Sequence, residues 1–320
     1  MDTASHLLFG FTLAGLAQLD PVVAQQPELL VAVTCGTVIG SQAPDFDTVV
    51  RVRGYSSYLR FHRGVTHSIP ALLLWPLLIT SAVSQLIDVS GAFFTVFLWT
   101  FAAVLFHVFL DMLNSYGVQC FRPFTKKWIH LDILAIFEPF LFILHLVGLG
   151  LAMMGNFAPG TVFGYVYGCT FGYIALRALY HHYLIGRVKA FLQVEGVYQV
   201  SPSFHWFRWT FVVESADHFY TGKIVYRQII LEEIIKKEDD NQVIKATIGT
   251  DGVRAFLGFA QRVHVTCKEL QDGYEVRWSD VRFWHNRKLP FGVDVRLDKN
   301  LQVVKHKLGW RKKAWDPPFV

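Results

Sequence analysis

The chain has 320 residues, 52% of them hydrophobic, and a formal net charge of +5, a length that allows two folding units. That charge is unevenly spread: residues 1–185 hold 8 Lys/Arg and 9 Asp/Glu, a balance of −1, whereas residues 186–320 hold 22 and 16, a balance of +6. So sparse a charge over so apolar a stretch excludes an ordinary water-solvated fold for the first half. The four scattered cysteines (Cys35, Cys120, Cys169, Cys267), with no CxxC pair, argue against a thiolate zinc site and against a disulfide framework.

From the N-terminus, Met1-Asp2-Thr3 lacks the basic region of a cleavable signal peptide, so this segment is expected in the mature protein. The apolar runs 7–19 and 29–40 are short, suited to short spans, re-entrant segments or packed core helices. Runs 68–87 and 92–113 each match the ~20 residues that cross a bilayer. Two more follow at 133–154 and 161–185, interrupted by Glu138 and Arg177, which are expected to pair with one another. The basic residues sort by side. Loop 41–67 carries Arg51, Arg53, Arg60 and Arg63, and loop 114–132 carries Arg122, Lys126 and Lys127, while 20–28, 88–91 and 155–160 carry none. Both basic loops, and both termini, are therefore expected on the cytoplasmic side of a cell membrane.

Beyond residue 190 the pattern changes to short β-branched and aromatic runs separated by turn residues. Strands are expected at 194–200, 206–213, 223–230, 243–247, 264–267, 274–278, 291–297 and 302–308, with 231–237 either continuing a strand or starting a helix. The basic tail (Lys305, Lys307, Arg311, Lys312, Lys313, with Trp310 and Trp315) suits anionic headgroups or plain solvation equally. The expected fold is thus an α-helical polytopic membrane domain of four to six helices over 1–188, followed by a soluble β-rich domain over 189–320. No internal repeat or nucleic-acid motif is present, so membrane lipids rather than nucleic acid are the expected partners.

Ligand-type residues gather at one predicted membrane boundary. His6 opens the first apolar run, and Asp45 and Asp47 follow the second, after a helix-breaking Pro44. His62-Arg63-Gly64-Val65-Thr66-His67 immediately precedes the third, and His107 and Asp111 end the fourth, with Asn114 a turn later. His107 and Asp111, four apart, share a helix face and can grip one ion. An ionisable residue in such a span is a functional candidate by default. Singly, each piece also has a bland reading: a capping turn for Asp45 and Asp47, a basic juxtamembrane loop for 62–67. Together they form an imidazole–carboxylate set of the kind Zn, Mn or Fe favours, with enough donors for one or two ions. Arg63 adds a guanidinium suited to phosphate. His145, His181 and His182 have no partner motif and are expected to pack or snorkel.

These motifs, with Gly40-Ser41-Gln42-Ala43 before Pro44 and Arg122-Pro123-Phe124 later, resemble the YdjM-type membrane-bound metal-dependent hydrolases of bacteria over essentially the whole chain. That family is distantly similar to zinc-dependent phospholipase C and its nuclease relatives. The resemblance implies His6, Asp45, His67, His107 and Asp111 as metal ligands, with Asp45 bridging two ions. The HxxxE pair of the soluble enzymes is absent after Asp111; Glu138, followed by Pro139, is the acidic residue nearest to hand.

The reading that follows is a metal-dependent hydrolase of a phosphoester, such as a lipid headgroup, at the cytoplasmic face. Water, its pKa lowered by the ion, would be the nucleophile. Arg63 would neutralise the phosphoryl group, and Asp47 or His62 would orient ligands or carry a proton. The alternatives are a non-catalytic metal-binding membrane regulator and an ion transporter. The nearly wholly apolar outer halves of the clear spans count against the transporter.

Overall fold

The computed structural model describes residues 1–89, 91–238 and 241–311. Lys312, Lys313 and Trp315 of the basic tail lie outside the described residues. Two compact units emerge: Met1–Thr48 with His62–Tyr180, and Val49–Phe61 with His181–Val320.

The first unit is helical. Helix α1 (Thr3–Ala17) is capped by Asp2, whose carboxylate accepts from the Ser5 amide at 3.0 Å. Helices α2 (Pro21–Gln25) and α3 (Pro27–Gly40) each begin on a proline, which needs no amide partner in the first turn. A 3-10 segment, Ala43–Arg53, then turns the chain; from Val49 it belongs, with α4 (Tyr55–Phe61), to the second unit, and the first unit resumes before a short 3-10 turn at Val65–His67. Helices α5 (Ile69–Leu86), α6 (Phe93–Met112) and α8 (Pro159–Leu192) are long and apolar enough to cross a membrane, and α3 with the following 3-10 segment forms a further, bent candidate. Helices α1 and α7 (Pro139–Met153) are apolar but only 15 residues long, roughly 22 Å at 1.5 Å per residue.

The expected span 133–154 is therefore too long. Residues 133–138 are not helical, because the amides of Ile133 and Leu134 donate to the Leu113 carbonyl at 2.8 and 3.0 Å and Pro139 sets the helix start. Glu138 instead accepts from the Ala135 amide at 2.8 Å and pairs with Arg177 at 3.5 Å, as expected. His145 is buried with partners on both nitrogens, Thr12 Oγ1 and Thr170 Oγ1, each at 2.8 Å, so it packs rather than snorkels.

Close backbone approach brings the first, third and sixth helices together. A Cβ at Gly10 would lie 2.6 Å from Ser41 Oγ and 2.9 Å from the Val38 Cα, and one at Gly40 would lie 3.1 Å from the Thr100 carbonyl oxygen. Small residues at such crossings let apolar helices meet at backbone distance. Ala17, Val23, Leu29, Ala32, Val33, Ile79, Val83 and Val96 fill the space beside them.

The second unit holds two antiparallel four-stranded meanders. Strands β1 (Val197–Pro202), β2 (Arg208–Glu214), β3 (His218–Val225) and β4 (Gln228–Lys236) form one; β5 (Val263–Leu270), β6 (Gly273–Asp280), β7 (Phe291–Asp298) and β8 (Val303–Trp310) form the other. Helices α9 (Gln242–Thr247) and α10 (Asp251–Phe259) lie between them in sequence. Two strand expectations fail here. Residues 223–230 straddle the β3–β4 turn, where Tyr226 takes a positive φ of 56° without the Gly or Asn that marks such turns. Residues 243–247 are helical, nucleated by Asn241 accepting from the Ile244 amide at 2.8 Å. Residues 231–237 fall largely in β4.

Candidate metal centre

All eight residues singled out by the sequence lie in the first unit, and the fold brings them together. His6 comes from the first turn of α1, Asp45 and Asp47 from the 3-10 segment, and His62 and Arg63 from the loop before Val65–His67. His67 precedes α5, and His107 and Asp111 lie on one face of α6. His67 Nε2 is 3.5 Å from Asp45 Oδ1 and 3.5 Å from Asp111 Oδ2. His107 Nε2 is 3.6 Å from each of the same two oxygens. These four atoms are all buried, and none has a hydrogen-bond partner. Two carboxylate oxygens and two imidazole nitrogens thus converge unsatisfied, an arrangement costly enough to call for an occupant. An ion held by N and O donors at about 2.0–2.2 Å in tetrahedral geometry has ligand–ligand edges of roughly 3.3–3.6 Å. The observed spacings match, so the residues fit such an ion.

The supporting hydrogen bonds fix which nitrogen faces the centre. His107 Nδ1–H donates to the Ser41 carbonyl at 2.7 Å, leaving the Nε2 lone pair inward. Thr66 Oγ1 donates to Asp47 Oδ2 at 2.6 Å and accepts from His67 Nδ1–H at 3.1 Å, doing the same for His67. Asp47 is therefore a positioning group. It also accepts from the Arg63 amide at 2.9 Å and contacts His62 Nδ1 at 2.7 Å. Burial depresses the His67 pKa, against the pull of Asp45, to about 4, which keeps it neutral near pH 7 as a ligand must be.

His6 and Arg63 approach Asp111 from its other oxygen. His6 Nε2 lies 3.4 Å and Arg63 Nη2 3.2 Å from Asp111 Oδ1, and the Met1 amino group contacts the same oxygen. The His6 ring stacks on His107 with centroids 3.8 Å apart. One donor atom each from His6, Asp45, His107 and Asp111 falls within a single 4.8 Å group, and Asp45 also shares a second such group with Asp47 and His62. His67 belongs with the first by its direct distances. Arg63 sits in a left-handed backbone conformation (φ 57°), with Nη1 donating to Asn114 Oδ1 at 3.3 Å and Nε without a partner. Strained backbone of this kind collects at functional sites. Sequence reasoning missed Thr66 and the Ser41 carbonyl as supports. A hydroxyl beside His67 was visible, but its relay to Asp47 depends on a fold that closes residues 47 to 67.

A family model described as YdjM inner membrane protein matches residues 1–184, and one described as the YfhP C-terminal alpha/beta plait domain matches residues 242–315. The protein of Bacillus subtilis (strain 168) named "Uncharacterized protein YfhP" is 34% identical over 314 residues, covering 97% of this chain and 95% of that one. No solved structure matches.

Proposed function

The chain belongs to the YdjM inner membrane protein family, and on that premise we propose that it is a membrane-bound, metal-dependent hydrolase of a phosphoester, with phospholipid headgroups as the leading substrate class and the cytoplasmic face as its side. The observation that carries this reading is the convergence of four buried, partnerless donors from Asp45, His67, His107 and Asp111. Those four would hold a first divalent ion, and zinc suits their N2O2 set, with Mn or Fe as alternatives. His6 Nε2 and Asp111 Oδ1 both meet the Met1 amino group, so a second ion held by His6 and Asp111 would take that group's place. A bound ion would supply Lewis acidity toward a phosphoryl oxygen and would lower the pKa of water.

The chain's own groups do the rest. Arg63, with its unpartnered Nε, neutralises the phosphoryl charge and orients the ester. Asp47 holds His67 in its ligand tautomer through Thr66. His62, half-buried against Asp47, is placed to take or give a proton. Asp45 is the most solvent-open of the four donors, at 17% side-chain exposure, and marks the approach.

One observation favours the non-catalytic reading. Four protein donors close a tetrahedral site, and closed sites are typically structural. The two readings part on activity, not on metal. The test is elemental analysis of detergent-purified protein beside a His107→Ala/Asp111→Ala double variant. Wild type should carry about one or two equivalents of Zn, Mn or Fe and the variant none. Headgroup release from mixed-lipid vesicles by the wild type alone then favours the hydrolase. Bound metal without turnover favours the regulator, and a folded wild type that takes up no metal overturns both.

A further inference from the structure

The second unit begins with the end of a membrane helix, and its first sheet turns back along that helix. The apolar run of α8 continues to Ile185, inside this unit. Lys189 Nζ lies over the Tyr198 ring, 5.6 Å from its centroid, whereas His181 Nε2 contacts the Val200 carbonyl at 2.9 Å. As the helix number falls from 189 to 181, the strand number rises from 198 to 200. Strand β1 therefore runs antiparallel to the helix, back toward its apolar part. The β1–β2 loop, residues 203–207, follows β1 in that direction.

This loop has an unusual composition: Ser203-Phe204-His205-Trp206-Phe207, followed by Arg208. Phe204 is 56% exposed and Phe207 is 50% exposed. The β3–β4 turn joins it at the same sheet end, because Arg208 pairs with Val225 and Val225 with Gln228. Its Tyr226 is 63% exposed and stacks on Phe207 with centroids 5.5 Å apart, and Arg227 follows it. The loop is preformed: the Tyr226 amide donates to the Phe207 carbonyl at 2.8 Å, Ser203 Oγ to the Arg208 carbonyl at 2.7 Å, and Trp209 Nε1 to the Trp206 carbonyl at 3.0 Å. The opposite end of the sheet carries Glu195, Glu214, Ser215, Asp217 and His218 with Lys236 and Lys237, and Lys237 Nζ donates to Glu214 Oε1 at 2.9 Å. Exposed aromatic rings thus sit beside arginine at one end of the sheet, and the other end is polar with charges of both signs.

Aromatic side chains flanked by arginine are the residues that settle at the membrane–water boundary, where the rings leave water and the guanidinium stays among headgroup phosphates. We propose that the β1–β2 loop and the β3–β4 turn form a second, interfacial membrane contact, with Phe204, Phe207 and Tyr226 seated in the headgroup layer and Arg208 and Arg227 on anionic lipid. The occupant is the bilayer because the helix that enters it is continuous with the sheet that carries the loop.

The test places p-benzoylphenylalanine at one position at a time in the full-length chain, reconstituted in phosphatidylethanolamine/phosphatidylglycerol vesicles. The variants are Phe204→p-benzoylphenylalanine, the same change at Phe207, and the same at Ala216 in the β2–β3 turn. Leu98 of α6, a lipid-facing candidate that is 45% exposed, serves as the positive control. Illumination should give at least about tenfold more lipid adduct at 204 and 207 than at 216. Equal labelling at 216, cross-linking of 204 and 207 to a second copy of the chain, or no lipid adduct at either while Leu98 labels would each overturn the proposal.

Discussion

In the second unit Asp280 and Arg282 are both buried, and their polar atoms are matched. Asp280 Oδ2 accepts from Arg282 Nε at 2.9 Å and Nη2 at 2.7 Å, and Oδ1 accepts from the Arg282 amide at 3.1 Å. Arg282 Nη2 also donates to the Phe259 carbonyl at 3.2 Å, and the guanidinium lies 4.9 Å from the Phe259 ring centroid. In the first unit Asp45, His67, His107 and Asp111 each present a buried atom with no hydrogen-bond partner. The Asp280–Arg282 pair closes on itself and is structure, as Glu138–Arg177 does in the first unit. The atoms of the His/Asp group instead converge without closing on one another, which is what ligand donors do. The difference separates two kinds of buried polar group that composition cannot distinguish.

Asp280→Ala removes the carboxylate that balances the buried Arg282 charge, and should cost about 3–5 kcal/mol. Guanidinium unfolding of the detergent-solubilised protein measures this, and metal content per folded chain should not change. The first unit should respond to metal instead. Zinc at one hundred times its dissociation constant should stabilise the wild type by about 2.7 kcal/mol, and should leave His107→Ala unmoved. If His107→Ala keeps the zinc-dependent gain in thermal scans, the open atoms are not a metal centre. A finer cut is Thr66→Val, which keeps every proposed ligand and removes the hydroxyl between His67 and Asp47. Loss of such a support should weaken metal binding about 10–100-fold, roughly 1.4–2.7 kcal/mol. Competition against a chelator reads it, and Thr66→Ser should restore most of the affinity.

The same contrast explains what could be read from the chain. The ligand set was legible because membrane helices make ionisable residues rare, so His107 and Asp111 stand out against Phe, Leu and Val. Their convergence with His67 and Asp45 followed from one shared boundary in the topology. The open state of their atoms was not legible, because it depends on where Ser41 and Thr66 place the competing donors and acceptors. Asp280 and Arg282 passed unnoticed for the converse reason: two charges two residues apart in a charged domain look like any solvated strand end. The helix starts at Pro27 and Pro139 could be read from proline, whereas the β3–β4 turn at Tyr226-Arg227 and the short helix at Gln242–Thr247 could not. Their signals are a strained φ on an aromatic residue and a single capping asparagine.

Exposed charge supplies the lower end of the scale. Arg60 Nη2 donates to Asp251 Oδ1 at 2.5 Å and to the Asp251 carbonyl at 3.1 Å, tying α4 to α10 within the second unit. The geometry is good, but the two side chains are 39% and 49% exposed, so water and salt screen the pair. Asp251→Asn should therefore cost less than about 1 kcal/mol, and less again at about 1 M salt. The hydrogen bond from Arg60 lowers the Asp251 pKa in the folded chain. An acid whose folded pKa lies below its unfolded value of about 3.9 binds fewer protons folded than unfolded between the two values. Its contribution is complete above about pH 4 and is lost as the pH falls through the folded pKa. Unfolding curves of wild type and Asp251→Asn should then separate slightly at neutral pH and draw together in acid. A separation as large as that expected for Asp280→Ala would mean that this exposed pair is shielded, and that burial is not what divides structural charge from surface charge in this unit.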